Sequence, residues 1–290
     1  MVGIMSANNY PIDKGVGVRI LYFSLFLFVF FVVARGVSLL AVYDDLYFSN
    51  ALNDKSLLDF LYWRYNSWSG RTLLEAIMVS SINTPLIWKL AIPSCLLIVC
   101  INIWKLTLSK NIKSCLGSIV VLFFVLLVSK SVAQNAWWWV TGFYNYLLPV
   151  SLGVFAFRWV VYKAESTVFT RYLSILAAII CCQQEQGAIA LVSSLIAVII
   201  VRKNKGMYIK FDLLVFVFST ISAGFLFLAP GNYHRLQVEM TWLPEFSEMG
   251  IIEKLMLGFD RVNEHVNDIT GRVILLASLL TFLVTFTHRR

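Results

Sequence analysis

Long apolar runs alternate with short polar or basic stretches along this chain. Runs at about 19–41, 86–108, 115–130, 143–162, 172–182, 188–201, 211–229 and 273–287 predict eight helices that cross or enter a membrane. Crossing the hydrocarbon core takes roughly 20 residues at about 1.5 Å of rise each. The fifth and sixth runs fall short of that. They read as tilted helices meeting at the polar break QQEQG, 183–187, or as one re-entrant pair. Two gaps between runs are long, 42–85 and 230–272. Within the first, SLLDFLYWRYNSW (56–68) repeats Leu57, Leu58, Leu61, Tyr62 and Tyr65 at helical spacing, with Trp63 and Trp68 nearby. That pattern predicts an interfacial helix over 56–66 whose tryptophans anchor it at the membrane surface. After Gly70, RTLLEAIMVSSI predicts a second short helix over 71–82.

Composition rules out a soluble domain. Of 290 residues, 59% are hydrophobic and only 14% are charged, with a mean hydropathy of +0.77. Too little polar surface remains to cover a water-facing molecule. The expected fold is therefore all-α: one polytopic transmembrane helix bundle over residues 1–290, undivided by a Pro/Gly/Ser-rich linker. No internal repeat is visible, which argues against an inverted-repeat transporter. Residues 1–18 read as a cytoplasmic N-terminus, and the first run as an uncleaved anchor, since no small-x-small cleavage site ends it.

The net charge of +8 changes the picture through its distribution. With the N-terminus inside, Lys14, Arg19, Lys110, Lys113, Lys163, Arg171, Arg202, Lys203, Lys205, Lys210, Arg289 and Arg290 fall on the inner side. Asp44, Asp45, Asp54, Asp59 and Glu75, and the acids of 230–272, fall on the outer side. This is the positive-inside pattern, so the basic excess reports topology and not a nucleic-acid partner. Cys95, Cys100, Cys115, Cys181 and Cys182 lie in or beside apolar runs without metal-ligand spacing, and read as buried free thiols. No metal site and no cofactor are expected. There is no Walker loop, no GxGxxG and no HExxH, and the inner loops have no room for a nucleotide domain.

The candidate chemistry collects on the outer side. Asp44 and Asp45 follow the first run directly. Acids at a helix C-terminus face the negative end of the dipole, which suggests a functional reason for their presence. Arg64 and Arg71 suit a phosphate; Glu75, one turn on from Arg71, suits an i,i+4 pair. In QNAWWWVTGFYNYLLP (134–149), Trp138 and Asn145 combine a flat ring with an amide, as a sugar requires. Glu185 in QQEQG would accept a sugar hydroxyl or pair with an arginine, and polar groups there are costly unless they line a cavity. In LAPGNYHR (228–235), Pro230 and Gly231 mark a turn, and His234 and Arg235 bring positive charge to the outer side.

Taken in order, Asp44-Asp45, WSGR (68–71), WWVTGFYNYLLP (138–149), QEQ (184–186) and APGNYHR (229–235) resemble the Gtr-type polytopic glucosyltransferases that modify bacterial O-antigen, in the GT-C superfamily. The resemblance covers roughly 18–240. It implies a GT-C-like bundle in the bacterial inner membrane with the active site facing the periplasm; the charge pattern already puts both termini in the cytoplasm. It implies transfer of a sugar, glucose in that family, from a polyprenyl-phosphate donor to a lipopolysaccharide O-antigen or related surface glycan. Asp44 or Asp45 would be catalytic, and Arg64, Arg71, Glu75, Trp138, Asn145, Glu185, His234 and Arg235 would bind substrate. Partners would be the lipid-linked donor, the glycan acceptor, membrane lipid and further subunits of a glucosylation system. Superfamily members usually have more spans or a C-terminal periplasmic domain, so a short member, a truncated product or a half that needs a partner is expected. A transporter or flippase of a lipid-linked sugar is the competing expectation. It requires polar residues through the full depth of the bundle, whereas they gather near one face.

Overall fold

A computed structural model describes residues 14–109, 114–242 and 244–267. The described residues form helices and no strands. In chain order these are α1 (Lys14–Gly36), α2 (Tyr43–Asn50), α3 (Leu57–Ser67), α4 (Thr72–Ser81), α5 (Pro85–Thr107), α6 (Ser114–Leu126), α7 (Lys130–Ala133), α8 (Val140–Gly142), α9 (Leu148–Val161), α10 (Val168–Cys181), α11 (Glu185–Asn204), α12 (Lys210–Phe227), α13 (Pro230–Met240) and α14 (Ile251–Asn267). Two π-helical turns, Gln134–Trp138 and Phe143–Leu147, flank α8.

Among the described residues five helical stretches are long and apolar enough to span a membrane: Arg19–Gly36, Pro85–Thr107, Val140–Val161, Glu185–Asn204 and Lys210–Phe227. A sixth exists if Leu116–Leu126 and Lys130–Trp138, bent by 101° at their junction, form one broken span. Eight spans were expected. The run at 115–130 turns sharply at Leu127–Ser129, where the Ser129 side chain caps α7 by accepting from Val132 N. The run at 172–182 is α10, whose 14 residues extend about 21 Å, short of a bilayer core. The run at 273–287 lies outside the described residues.

Among the described residues two large apolar cores hold the bundle, and a smaller one around Cys100, Val121 and Leu122 seats α6. One joins α1 to α5 with residues 137–147, around Val33, Phe48, Phe60, Met78, Trp88 and Phe143. The other joins α9 to α12 through Ala156, Ala178, Leu195 and Leu226. Cys95, Cys100, Cys181 and Cys182 are buried free thiols, as expected. Small residues permit the closest contacts: a Cβ on Gly153 would stand 2.5 Å from Cys181 Sγ.

The ends of the bundle differ. At one end Arg202 binds Asp212 at 2.7 Å and the carbonyls of Val160 and Val161, while Lys163 reaches Asp212 at 3.3 Å. Lys105 pairs there with Glu165 at 3.0 Å. Asp212 and Glu165 thus depart from the expected segregation of acids; each is neutralised by the basic residues around it. The other end carries α2, α3, α4 and α13. Both expected short helices are present as α3 and α4. Phe60 and Arg64 are the buried residues of α3, however, whereas Leu58 and Tyr62 project outward at 78% and 75% exposure. α14 presents Ile251, Ile252, Leu255, Met256, Phe259 and Val262 uncovered along one side.

Candidate active site

α1 stops at Gly36, where a Cβ would stand 2.5 Å from the Trp138 ring. The chain then runs non-helically through Val37–Leu40 and begins α2 at Tyr43. Asp44 and Asp45 therefore occupy the first turn of a new helix. The expectation of a C-terminal position is overturned, because hydropathy alone does not register the stop at Gly36. At a helix N-terminus two acids are favourable. Their side chains then diverge. Asp45 is wholly buried and accepts hydrogen bonds from Leu40 N (2.9 Å), Thr141 N (2.9 Å) and Thr141 Oγ1 (2.5 Å). It clasps the α1–α2 junction to the start of α8. Asp44 is exposed and lines a cavity of about 490 Å³. Among the described residues it makes no hydrogen bond or ion pair.

Three arginines face this cavity, each with a carboxylate of its own. Arg64 binds Glu75 through Nε at 2.8 Å and Nη2 at 2.6 Å. The pair is buried, with Tyr47, Phe48 and Trp68 rings within 6.0 Å of the guanidinium carbon. Burial opposes the charge on Arg64 most strongly, but the hydrogen bonds and charge of Glu75 outweigh it and hold its pKa above the ordinary value. Burial also raises the pKa of Tyr47, which stays a neutral phenol. Glu75 thus pairs across helices with Arg64 and not with Arg71 one turn away: it lies buried on α4, facing α3. Arg71 reaches Glu185 instead, through Nε at 3.1 and 3.2 Å and Nη2 at 2.6 Å, and its Nη1 donates to Asn145 Oδ1 at 3.3 Å. Arg235 donates through Nε to Glu239 at 2.7 Å on the same helix, and its Nη groups make no hydrogen bond among the described residues.

The QQEQG break is what aims Glu185. Gln184 accepts from Gly187 N at 2.6 Å and so caps α11. Gln183 is buried; its Oε1 accepts from Leu73 N at 3.1 Å, and its Nε2 donates to Ser222 Oγ at 2.9 Å. The two glutamines tie α4, α11 and α12 together and leave Glu185 in the first turn of α11, facing Arg71. Among the two roles expected of Glu185, partnership with an arginine is the one present.

α13 closes the cavity on its remaining side. Gly231 lies so close to Trp68 N and Ser69 N that a Cβ would clash with both. Asn232 accepts from Gly70 N at 3.4 Å and donates to Leu226 O at 2.7 Å. This docking brings Arg235, Glu239 and Trp242 to the cavity wall. His234 lies one position round the helix, exposed and off the cavity.

Of the expected residues, the cavity gathers Asp44, Arg64, Arg71, Glu75, Asn145 and Arg235, with Glu185 behind Arg71. It does not gather Asp45, Trp138 or His234. Trp139 stands where Trp138 was expected, because the π-helical turn before it and its own extended backbone (φ −113°, ψ 127°) shift the register. Trp138 instead packs against Gly36. Trp63 and Trp68, expected as surface anchors, line the cavity with Tyr146 and Trp242. The signal for Glu239 and Trp242 was present only as four- and seven-residue spacing from Arg235. Among the described residues no three His, Cys, Asp or Glu side chains gather as metal ligands.

Comparison with known proteins adds no relative: no family model, no curated protein and no solved structure matches the chain.

Proposed function

We propose that the protein is a glycosyltransferase of the bacterial inner membrane, moving a sugar, glucose by resemblance to the Gtr-type enzymes, from a polyprenyl-phosphate donor to a periplasmic surface glycan. The observation that carries the reading is Asp44: an exposed carboxylate that makes no hydrogen bond or ion pair among the described residues, in a cavity walled by arginines and by the rings of Trp63, Trp68, Trp139 and Trp242. The acceptor hydroxyl gives its proton to Asp44 while its oxygen bonds to the anomeric carbon. The bond from that carbon to the phosphate oxygen breaks, and polyprenyl phosphate leaves with the electron pair as an anion. Asp44 then returns its proton to water. Inversion at the anomeric carbon follows from a single displacement. Among the arginines, Arg235 has the most uncommitted donors and takes the phosphate. Arg64 and Arg71 are already engaged by carboxylates and shape the chamber, and Asn145 and the aromatic rings hold the sugar.

The experiment follows label from polyprenyl-phosphate glucose in vesicles containing the protein and a delipidated O-polysaccharide. Transfer predicts label in the polymer with stoichiometric release of polyprenyl phosphate. A flippase would move intact lipid-linked sugar across the vesicle and release none, and that result would replace this reading.

A further inference from the structure

α2 separates two concavities. Asp44 and Phe48, one turn apart, face the chamber just described. Tyr43, Leu46 and Asn50 turn to the other side and line a groove of about 420 Å³ with Asp54 and Lys55. Tyr47 borders both. Tyr47 is thus the ridge between groove and chamber, and Asp44 stands beside it on the chamber side.

Its chemistry is specific. Tyr43 is 83% exposed, and Tyr47 rests on Phe60 with ring centroids 6.5 Å apart. These flat faces sit among an amide, a carboxylate and an ammonium, and Asp54 and Lys55 cancel in charge. The charges of Asp54 and Lys55 in the lining disfavour acyl chains as the occupant. Flat apolar faces with hydrogen-bonding neighbours and no net charge suit a neutral sugar chain. Tyr43 also has φ +55°. A side chain in that region costs about 1–2 kcal/mol relative to glycine, and such strain concentrates where a side chain is needed at a set place. Here it turns a ring outward next to Asp44.

We propose that this outer groove on α2 is a glycan subsite, which holds the acceptor chain on the Tyr43 and Tyr47 rings as its terminal hydroxyl passes over the ridge to Asp44. The word acceptor rests on the transferase reading; the groove's affinity for a glycan does not.

Tyr43→Gly is the informative variant, because glycine relieves the backbone while removing the ring, so that loss of folding does not obscure the result. Delipidated O-polysaccharide fragments would be titrated onto purified wild type and Tyr43→Gly without donor, by saturation-transfer NMR. The same fragments would then be varied in the transfer assay. The expected result is weaker binding and an acceptor KM raised roughly tenfold, the loss of one good contact, with kcat and donor KM unchanged and Tyr43→Trp restoring both. Glycan binding that depends on Tyr43 in a protein without transfer would keep the subsite and remove the transferase. Transfer with an acceptor KM indifferent to Tyr43→Gly would do the reverse. A rise in donor KM alone would overturn the subsite and give the groove to the lipid-linked donor.

Discussion

Two adjacent aspartates meet opposite surroundings, and substitution should separate them. Asp45 accepts three hydrogen bonds in a fully buried place. In Asp45→Asn the amide would set a donor against a donor, at a cost of about 1–3 kcal/mol. Thermal unfolding in detergent should show a clear fall in Tm, whereas Asp44→Asn should unfold as wild type does. The Arg64–Glu75 pair makes a second residue-scale prediction. Glu75→Ala leaves an uncompensated buried guanidinium, worth about 3–5 kcal/mol; the double change Arg64→Met, Glu75→Ala should be less harmful than Glu75→Ala alone. Equal Tm values for the two would refute that ordering. The sequence marked all four residues as chemically unusual. It did not distinguish their roles, because those depend on α2 starting at Tyr43 and on α3 lying across α4. Neither fact leaves a trace in hydropathy, and spacing favoured Arg71 as the partner of Glu75.

Among the elements, α13 depends on glycine. Gly231 meets Trp68 N and Ser69 N, and a Cβ on Gly70 would come within 2.9 Å of the Ala229 Cβ. Gly231→Ala should lift α13 from α3, withdraw Arg235 and Trp242 from the cavity, and abolish activity while helix content by circular dichroism stays the same. Retained activity would mean that α13 does not form the wall. The α4–α11 junction is the counterpart. Arg71, Glu185 and the glutamine brace cross more than a hundred residues of sequence, so Arg71→Lys, which cannot reproduce the bidentate contact, should weaken activity more than it lowers Tm. Helix positions were largely legible from apolar runs. The breaks were not: the 101° bend and the π-helical turns around α8 arise from packing, and they moved the cavity tryptophan from 138 to 139.

At the scale of the whole molecule, two unlike ends follow from antiparallel helices that share one register of charge. The basic end closes on Asp212, which Arg202 and Lys163 neutralise. Asp212→Asn should lower Tm without touching substrate affinity, since it lies at the opposite end from the cavity. The positive-inside expectation puts that end in the cytoplasm; on that expectation Asn53→Cys, beside the outer groove, should react with a membrane-impermeant maleimide added to the opposite face, and labelling from the basic-end side would reverse the orientation. The most direct test of the account concerns Asp44. Label transfer from polyprenyl-phosphate glucose to delipidated O-polysaccharide would be measured for wild type, Asp44→Asn and Asp45→Asn at equal amounts of folded protein. A general base contributes about 10²–10⁴-fold, so Asp44→Asn should lose transfer by that order while Asp45→Asn, once corrected for folding, keeps most of it. Transfer by Asp44→Asn at the wild-type rate would contradict the account.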